Sequence, residues 1–436
     1  MKKMSHIHMP KRHSGGQIVF GAVGDICLRR GVAKGIAKWG MDWPFDEMRS
    51  ELSRADILFG NMECVLVPAE SLPDHINSSE LICPFPGEDC ASALAHAGFN
   101  FLNLAANHVL DAGTAGMHYT KKTLESAGIA TGGVGNTQKE ARTPVILVVA
   151  GLRIGILCYC EDNNYTLGTQ GPCHAYFDRD DAIADIKQLR PKVDILVVSV
   201  HADVEFVPTP SVPRRAAFRD FAEAGADLIL GHHPHVPQGC ERIGRTLIVY
   251  SLGNFIFPAF SSPYMRNKGP DTARSFLLLV ELSRNGVGDF ERIPFDIGAT
   301  PSERPSPSRN GSRDSMLLRL EELDRIVADD AEVARIWQET AAHKLAEQMR
   351  ATILFRHKRL PVWKRAVGRL LGIPAPASLE LDVERVLDEL IGRFLLTAEN
   401  RSWMNEIFRQ GEERWNARNA APPDPKHRPH HHFRKG

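Results

Sequence analysis

The sequence predicts an α/β protein. Three observations lead there. Short apolar runs rich in β-branched residues recur along roughly the first two thirds of the chain. Amphipathic helical stretches lie between several of them. Residues able to bind a cation or move a proton stand where the runs end.

Taken in order, the expected strands are Ile18–Val23, Ile57–Phe59, Phe99–Leu104, Val145–Val149, Arg153–Leu157, Ile195–Val200, Leu228–Leu230 and Leu247–Tyr250. Each is a short, nearly continuous apolar run, as expected of strands covered on both faces. Helical spacing occupies Asp89–Ala97, Ala115–Ala127 and Arg214–Ala224. Gly98, Gly128 and Gly225 follow these stretches directly, where a left-handed residue closes a helix. Too little chain separates the runs around Leu247–Ile256 and Ser275–Leu282 for a crossover helix, so part of the sheet there is expected to be antiparallel or mixed.

This alternation assigns residues 17–298 to one α/β domain. Residues 1–16 are polar and basic and are expected to be a disordered tail. Residues 299–313, containing TPSERPSPSRNGS from Thr300, are rich in Pro, Ser and charge and are expected to be a linker. Residues 314–418 return to helical spacing, with Leu317, Leu320, Leu323, Val327, Val333, Ile336 and Trp337 on one stripe, then Leu379–Leu396. Residues 419–436 are Pro- and His-rich and expected to be disordered. His430, His431 and His432 there would bind metal only adventitiously.

Composition narrows the function. The 436 residues carry 53 Lys+Arg and 53 Asp+Glu, a formal net charge of zero. This argues against a nucleic-acid binder, which shows a basic excess. The eight cysteines include no CxxC pair and read as reduced, packed thiols, Cys27 and Cys64 among them. No run approaches the ~18 apolar residues of a membrane span, and no apolar core follows the basic N-terminus. The expected location is therefore cytoplasmic. The basic segment Arg356–Leu371, with Trp363 and several leucines interleaved, suggests a helix able to touch an anionic membrane surface.

The polar residues concentrate at strand ends. Asp25 ends the first run, Asn61 and Glu63 the second. Asn107, His108 and Asp111 follow the third. His201 and Glu205 follow DILVVSV, and His232, His233 and His235 follow ADLILG. Carboxyl ends of strands in α/β sheets gather on one edge, so these residues are expected to meet. Carboxylates with imidazoles and an amide oxygen suit Mn, Fe or Zn, and a pair of such ions can hold a phosphate and activate water. An uncoordinated His would then protonate the leaving oxygen.

The ordered motifs GDI at Gly24, NME at Asn61, LAANHVLDAG at Leu104, HADVE at His201, GHHPHV at Gly231 and YSLGNFIF at Tyr250 resemble those of the CapA family of capsule and poly-γ-glutamate biosynthesis proteins. That family is related to the calcineurin-like metallophosphoesterases. The resemblance runs from about Ile18 to about Ile297. It implies a metallophosphoesterase-like two-sheet sandwich flanked by helices, here with a helical C-terminal extension, and two divalent metal ions. It implies Asp25 on the first metal, Glu63 as bridging carboxylate, Asn107 and His201 on the second, and His233 and His235 as the His-x-His ligands. His108 matches the general acid. Asn61, Asp111, Glu205, His232, Ser251 and Asn254 would support the ligands or meet substrate.

Two departures stand out. The family's usual NNH is Ala106-Asn107-His108, and its HWG-x-E has Ala202-Asp203 in place of Trp-Gly. They alter the pocket wall more than the ligand set. The function implied is hydrolysis of a phosphate ester or related anionic substrate. The alternatives are a non-catalytic accessory role in polymer synthesis or export and metal-dependent amide hydrolysis of polyglutamate. The expected partners are an anionic small molecule or polymer and, through the C-terminal region, a capsule synthase or membrane surface.

Overall fold

The computed structural model describes residues 6–12, 17–72, 80–161, 171–299, 303–341, 343, 344, 406 and 409. Two large sheets form its centre. One sheet has seven strands in the order His6–Met9, Val145–Val149, Leu152–Cys160, Ile195–His201, Leu228–His232, Thr246–Val249, Cys240–Ile243. Its middle pairings, from Leu152–Cys160 to Thr246–Val249, are parallel. The other runs Pro305–Pro307, Gly286–Ile297, Arg274–Ser283, Ile18–Ile26, Ile57–Met62, Phe101–Asn103, Ala130–Gly132, with Asn254–Ile256 also paired to Ile18–Ile26. Here the pairings of Arg274–Ser283 are antiparallel, giving the mixed sheet that the short connections predict.

Period-two burial explains the layering. Along Ile195–His201, Ile195 and Val197 face a core shared with Phe20, Phe59 and Phe101 of the other sheet, while Leu196, Val198 and Val200 face Phe218 and Phe221 of the helix Val212–Ala224. On the far side, Leu58, Met62 and Leu102 pack with Leu94 and Met117 of the helices Gly87–His96 and Gly113–Ser126. The result is two sheets face to face with helices outside both. Gly98, Gly128 and Gly225 close their helices with φ of 104°, 84° and 111°.

Three expectations need correction. The stretch 1–16 is not wholly a disordered tail. His6–Met9 adds a parallel edge strand beside Val145–Val149, because that edge leaves backbone groups to pair. The stretch 299–313 is not a loose linker. Pro305–Pro307 pairs with Gly286–Ile297, and Glu303 is fully buried, accepting the backbone N–H groups of Phe260 and Ser261 at 2.6 Å each. Its proline-rich composition suits an edge strand, where a missing donor costs little. The helix Asn310–Ala328 does not open a separate region. Met316, Leu320 and Leu323 complete the intersheet core, and Asp324 accepts the Cys240 N–H at 2.7 Å. The compact unit runs to Trp337, and a second unit begins at Gln338.

Leu379–Leu396, Arg356–Leu371 and the terminal histidines lie outside the described residues. No helix among the described residues is long and apolar enough to cross a membrane. All eight cysteines are buried free thiols, as their scatter suggests.

Two glycines let backbones meet next to the strand ends. A Cβ on Gly24 would lie 1.8 Å from the Gly253 carbonyl oxygen, and one on Gly231 would lie 1.8 Å from that of Tyr250. The Gly253 carbonyl accepts the Asp25 N–H at 2.9 Å, so it cannot retreat without breaking that bond. Gly231→Ala is expected to cost about 1–3 kcal/mol or more, read as a lower denaturant midpoint.

Candidate metal centre

The strand register places four polar residues in one row. Asn254 pairs with Asp25, Asp25 with Asn61, and Asn61 with Asn103. Register partners in neighbouring strands share a face. The Asn103 amide donates to Asn61 Oδ1 at 2.6 Å, and the Asn61 amide donates to Asp25 Oδ1 at 2.8 Å. All four are fully or almost fully buried. The facing sheet brings His201 and His232 into register at its own strand ends. The two sheets thus close over a seam lined with carboxylate on one side and imidazole on the other.

Asp25 and Glu63 are the centre of the seam. Asp25 lies 3.3 Å from His235 Nδ1, 3.7 Å from His232 Nδ1 and 3.9 Å from His201 Nδ1. Glu63 Oε1 lies 3.6 Å from His235 Nε2 and 4.0 Å from His201 Nε2. Glu63 is 1% exposed, and neither carboxylate oxygen has a hydrogen-bond partner among the described residues. A buried carboxylate without donors is costly unless a cation or proton compensates it. Burial pushes the Glu63 carboxyl well above the usual range.

The imidazoles divide. Burial pushes His232 and His233 down to about 4 and lowers His201 strongly, with the neighbouring histidines adding to it. They are therefore neutral, the form that ligates metal. Burial acts downward on His235 too, but Glu63, Asp25 and Glu205 outweigh it and hold the ring up at about 10. Without a metal, this ring is the cation that the carboxylates gather.

Neighbouring groups orient these rings. The Asn61 amide also lies 3.0 Å from His201 Nδ1, which makes that nitrogen the acceptor and turns Nε2 toward Asn107 Oδ1 at 2.9 Å. The Asn254 amide donates to the carbonyls of His235 and Thr272, which turns its oxygen to His235 Nδ1 at 2.9 Å. Ser251 Oγ donates to Val236 O and accepts from Gly253 N–H, fixing the loop behind. His233 and His235 adopt left-handed φ of 94° and 58°, a strain typical of side chains aimed by function. Asp111 accepts from His108 Nδ1 at 2.7 Å, which fixes the ring's orientation, and His108 is near enough to depress His201.

Among the described residues, three sets of side chains bring possible ligand atoms within 4.8 Å of one another: Glu63, His201 and His233; Glu205, His233 and His235; Asp25, Glu63 and His235. They share members, as expected of adjoining sites. Every sequence-predicted residue falls in or beside this seam. Glu205, expected as a supporting residue, joins a ligand set. His232 is fully buried against Phe59, with ring centres 5.8 Å apart, and neither nitrogen has a hydrogen-bond partner among the described residues. It backs Asp25 from within the seam. Asp203, which departs from the family pattern, accepts the Ser211 N–H at 2.8 Å and pins the loop.

Sequence reasoning missed Asn103, Phe206 and Tyr264. Asn103 ends a β-rich run and carried the same signal as Asn61. Phe206 stacks on His235 at 5.9 Å, and the Tyr264 hydroxyl donates to Glu205; neither has a motif-level signal.

Residues 19–259 match the family described as bacterial capsule synthesis protein PGA_cap. The chain belongs to this family. Among relatives, the capsule biosynthesis protein CapA of Bacillus anthracis is 29% identical over 66% of this chain and 69% of its own. The PGA biosynthesis protein CapA of Bacillus subtilis (strain 168) is 30% identical over 64% and 72%. A probable polyglutamine synthesis accessory protein of Mycobacterium tuberculosis is 25% identical over 55% and 65%. A solved structure, TT1561 of Thermus thermophilus, aligns over 62% of this chain and 99% of its own at 9% identity with a TM-score of 0.33, too slight a likeness to add to the fold. All the PGA_cap-type motifs lie inside the matched span, whereas Glu303 and the helix Asn310–Ala328 lie beyond it.

The buried neutral histidines set a pH dependence. A ring held at about 4 when folded, against 6.5 when unfolded, favours folding above 6.5 and loses that contribution as pH falls toward 4. Chelator-treated protein is expected to lose stability over this window. His232→Phe, which keeps the stack on Phe59, should flatten that slope in melting curves across pH.

Proposed function

We propose that this chain is a metal-dependent hydrolase acting on a phosphate ester or related anionic substrate in the metabolism of a capsule or polyglutamate polymer. The observation that carries the reading is Glu63, a buried carboxylate without hydrogen-bond donors among the described residues, set among the neutral rings of His201 and His233 and the charged ring of His235. That donor set fits two divalent ions of the Mn, Fe or Zn kind. Asp25, Glu63, Asn107, His201, His233 and His235 would hold them, with Glu205 beside the last two. Bound divalent ions supply Lewis acidity and make water more acidic.

The chain's own residues do the rest. Asn61 and Asn103 hold Asp25 in one orientation, and Asn254 holds His235. Asp111 keeps the His108 proton on Nδ1 in the neutral ring. In its protonated form, His108 delivers the Nε2 proton to the leaving oxygen. The names of the relatives support the polymer context. One is called an accessory protein, which favours as second reading a role in polymer synthesis without turnover. Amide hydrolysis of polyglutamate would use the same residues.

Elemental analysis tests the first step, with the His430–His432 tail removed. About two equivalents of metal are expected, lost in the His233→Ala/His235→Ala variant. His108→Ala should retain metal while hydrolysis of an aryl phosphate falls about 10²–10⁴-fold. Absence of metal after purification and after supplementation would reject the hydrolase reading. Full activity in His108→Ala would reject its assigned role.

A further inference from the structure

Beside the seam lies a shelf that the ligand motifs do not include. Phe206 packs its ring against His235 and meets Tyr264 edge-on, with centres 5.3 Å apart. The Lys268 ammonium lies over both rings, 5.2 Å from the centre of Phe206 and 5.7 Å from that of Tyr264. These distances suit cation–π attraction. Lys268 is exposed, and among the described residues no carboxylate lies within ion-pair distance of it. Tyr264 is 55% exposed, a large fraction for an aromatic side chain held between other groups.

The shelf is built rather than loose. Phe206 has a left-handed φ of 63°, and its N–H donates to Pro234 O at 2.8 Å, inside the His-x-His motif. Tyr264 and Lys268 project from a segment held from beneath. Met265 is buried in the core, Glu303 binds the N–H groups of Phe260 and Ser261, and Ser261 Oγ accepts the Gly31 N–H at 2.8 Å. An ammonium with no carboxylate within ion-pair distance among the described residues, seated on aromatic rings next to a candidate metal ligand, is complementary to a second negative group on a molecule already bound at the seam.

We propose that Phe206, Tyr264 and Lys268 form a subsite for a carboxylate of an acidic chain, one group removed from the portion held at the metal centre. The assignment rests on the reading of an anionic substrate at that centre. Lys268 supplies the charge, and the two rings supply an apolar floor for the chain between its carboxylates.

The test is binding rather than turnover. Anisotropy of a fluorescein-labelled γ-linked glutamate oligomer is followed with the full chain, loaded with Mn²⁺, at low and high salt. Wild type should bind, and more weakly as salt rises. Lys268→Ala should weaken binding about fivefold and Lys268→Glu about tenfold or more, with Lys268→Arg close to wild type. Metal content and melting temperature should be unchanged in all three, since the side chain is exposed. Equal affinity in Lys268→Glu and wild type would overturn the subsite and leave the polymer reading intact. No binding by wild type would also overturn it, while metal content and aryl phosphate hydrolysis would still judge the metal centre separately.

Discussion

The hydrogen-bonded row Asn254, Asp25, Asn61 and Asn103 is the constraint around which the rest is arranged. It exists because parallel strands in register put successive side chains on one face at one height. Asp25 is thereby fixed before any ligand arrives, and its charge is buried with it. A buried charge must be answered. His235 answers it as the charged ring, with His201, His232 and His233 neutral around it, and Glu63 adds a second carboxylate that has no hydrogen-bond partner among the described residues.

This arrangement trades stability for readiness. Two histidines in left-handed backbone, an unsolvated glutamate and imidazoles kept neutral by burial each cost free energy. The offset comes from the intersheet core and from glycines that allow backbones to touch. Gly24 and Gly231 are thus part of the site although they carry no side chain. They let the carbonyls of Gly253 and Tyr250 approach the strands that carry Asp25 and His232 near their ends.

Much of this was legible in the sequence because strand ends are chemically conspicuous. A β-rich run followed by Asp, Asn or His announces both the element and its ligand, so the residues of the seam could be grouped without coordinates. Asn103 carried that signal and was hidden by its neighbours in FNFLNLAA. Other features had no local signal. His6–Met9 is a strand only because an edge awaits it, and Pro305–Pro307 only because Gly286–Ile297 runs alongside. Phe206 and Tyr264 meet across 58 residues of chain, a distance set by tertiary packing alone. The C-terminal helices were readable as amphipathic, but their spacing did not say that Met316, Leu320 and Leu323 belong to the intersheet core.

Glu303 carries a lesson about boundaries. It comes from beyond the stretch that matches the family model, yet its carboxylate holds the backbone of Phe260 and Ser261, and a side chain on Gly31 would collide with it, 1.5 Å from Oε2. The matched stretch is therefore not a unit of mechanical independence. Excised at its edge, the ligand motifs would remain complete while the wall beside them lost its foundation. A graft of the motifs onto another scaffold would have to carry this distant carboxylate along.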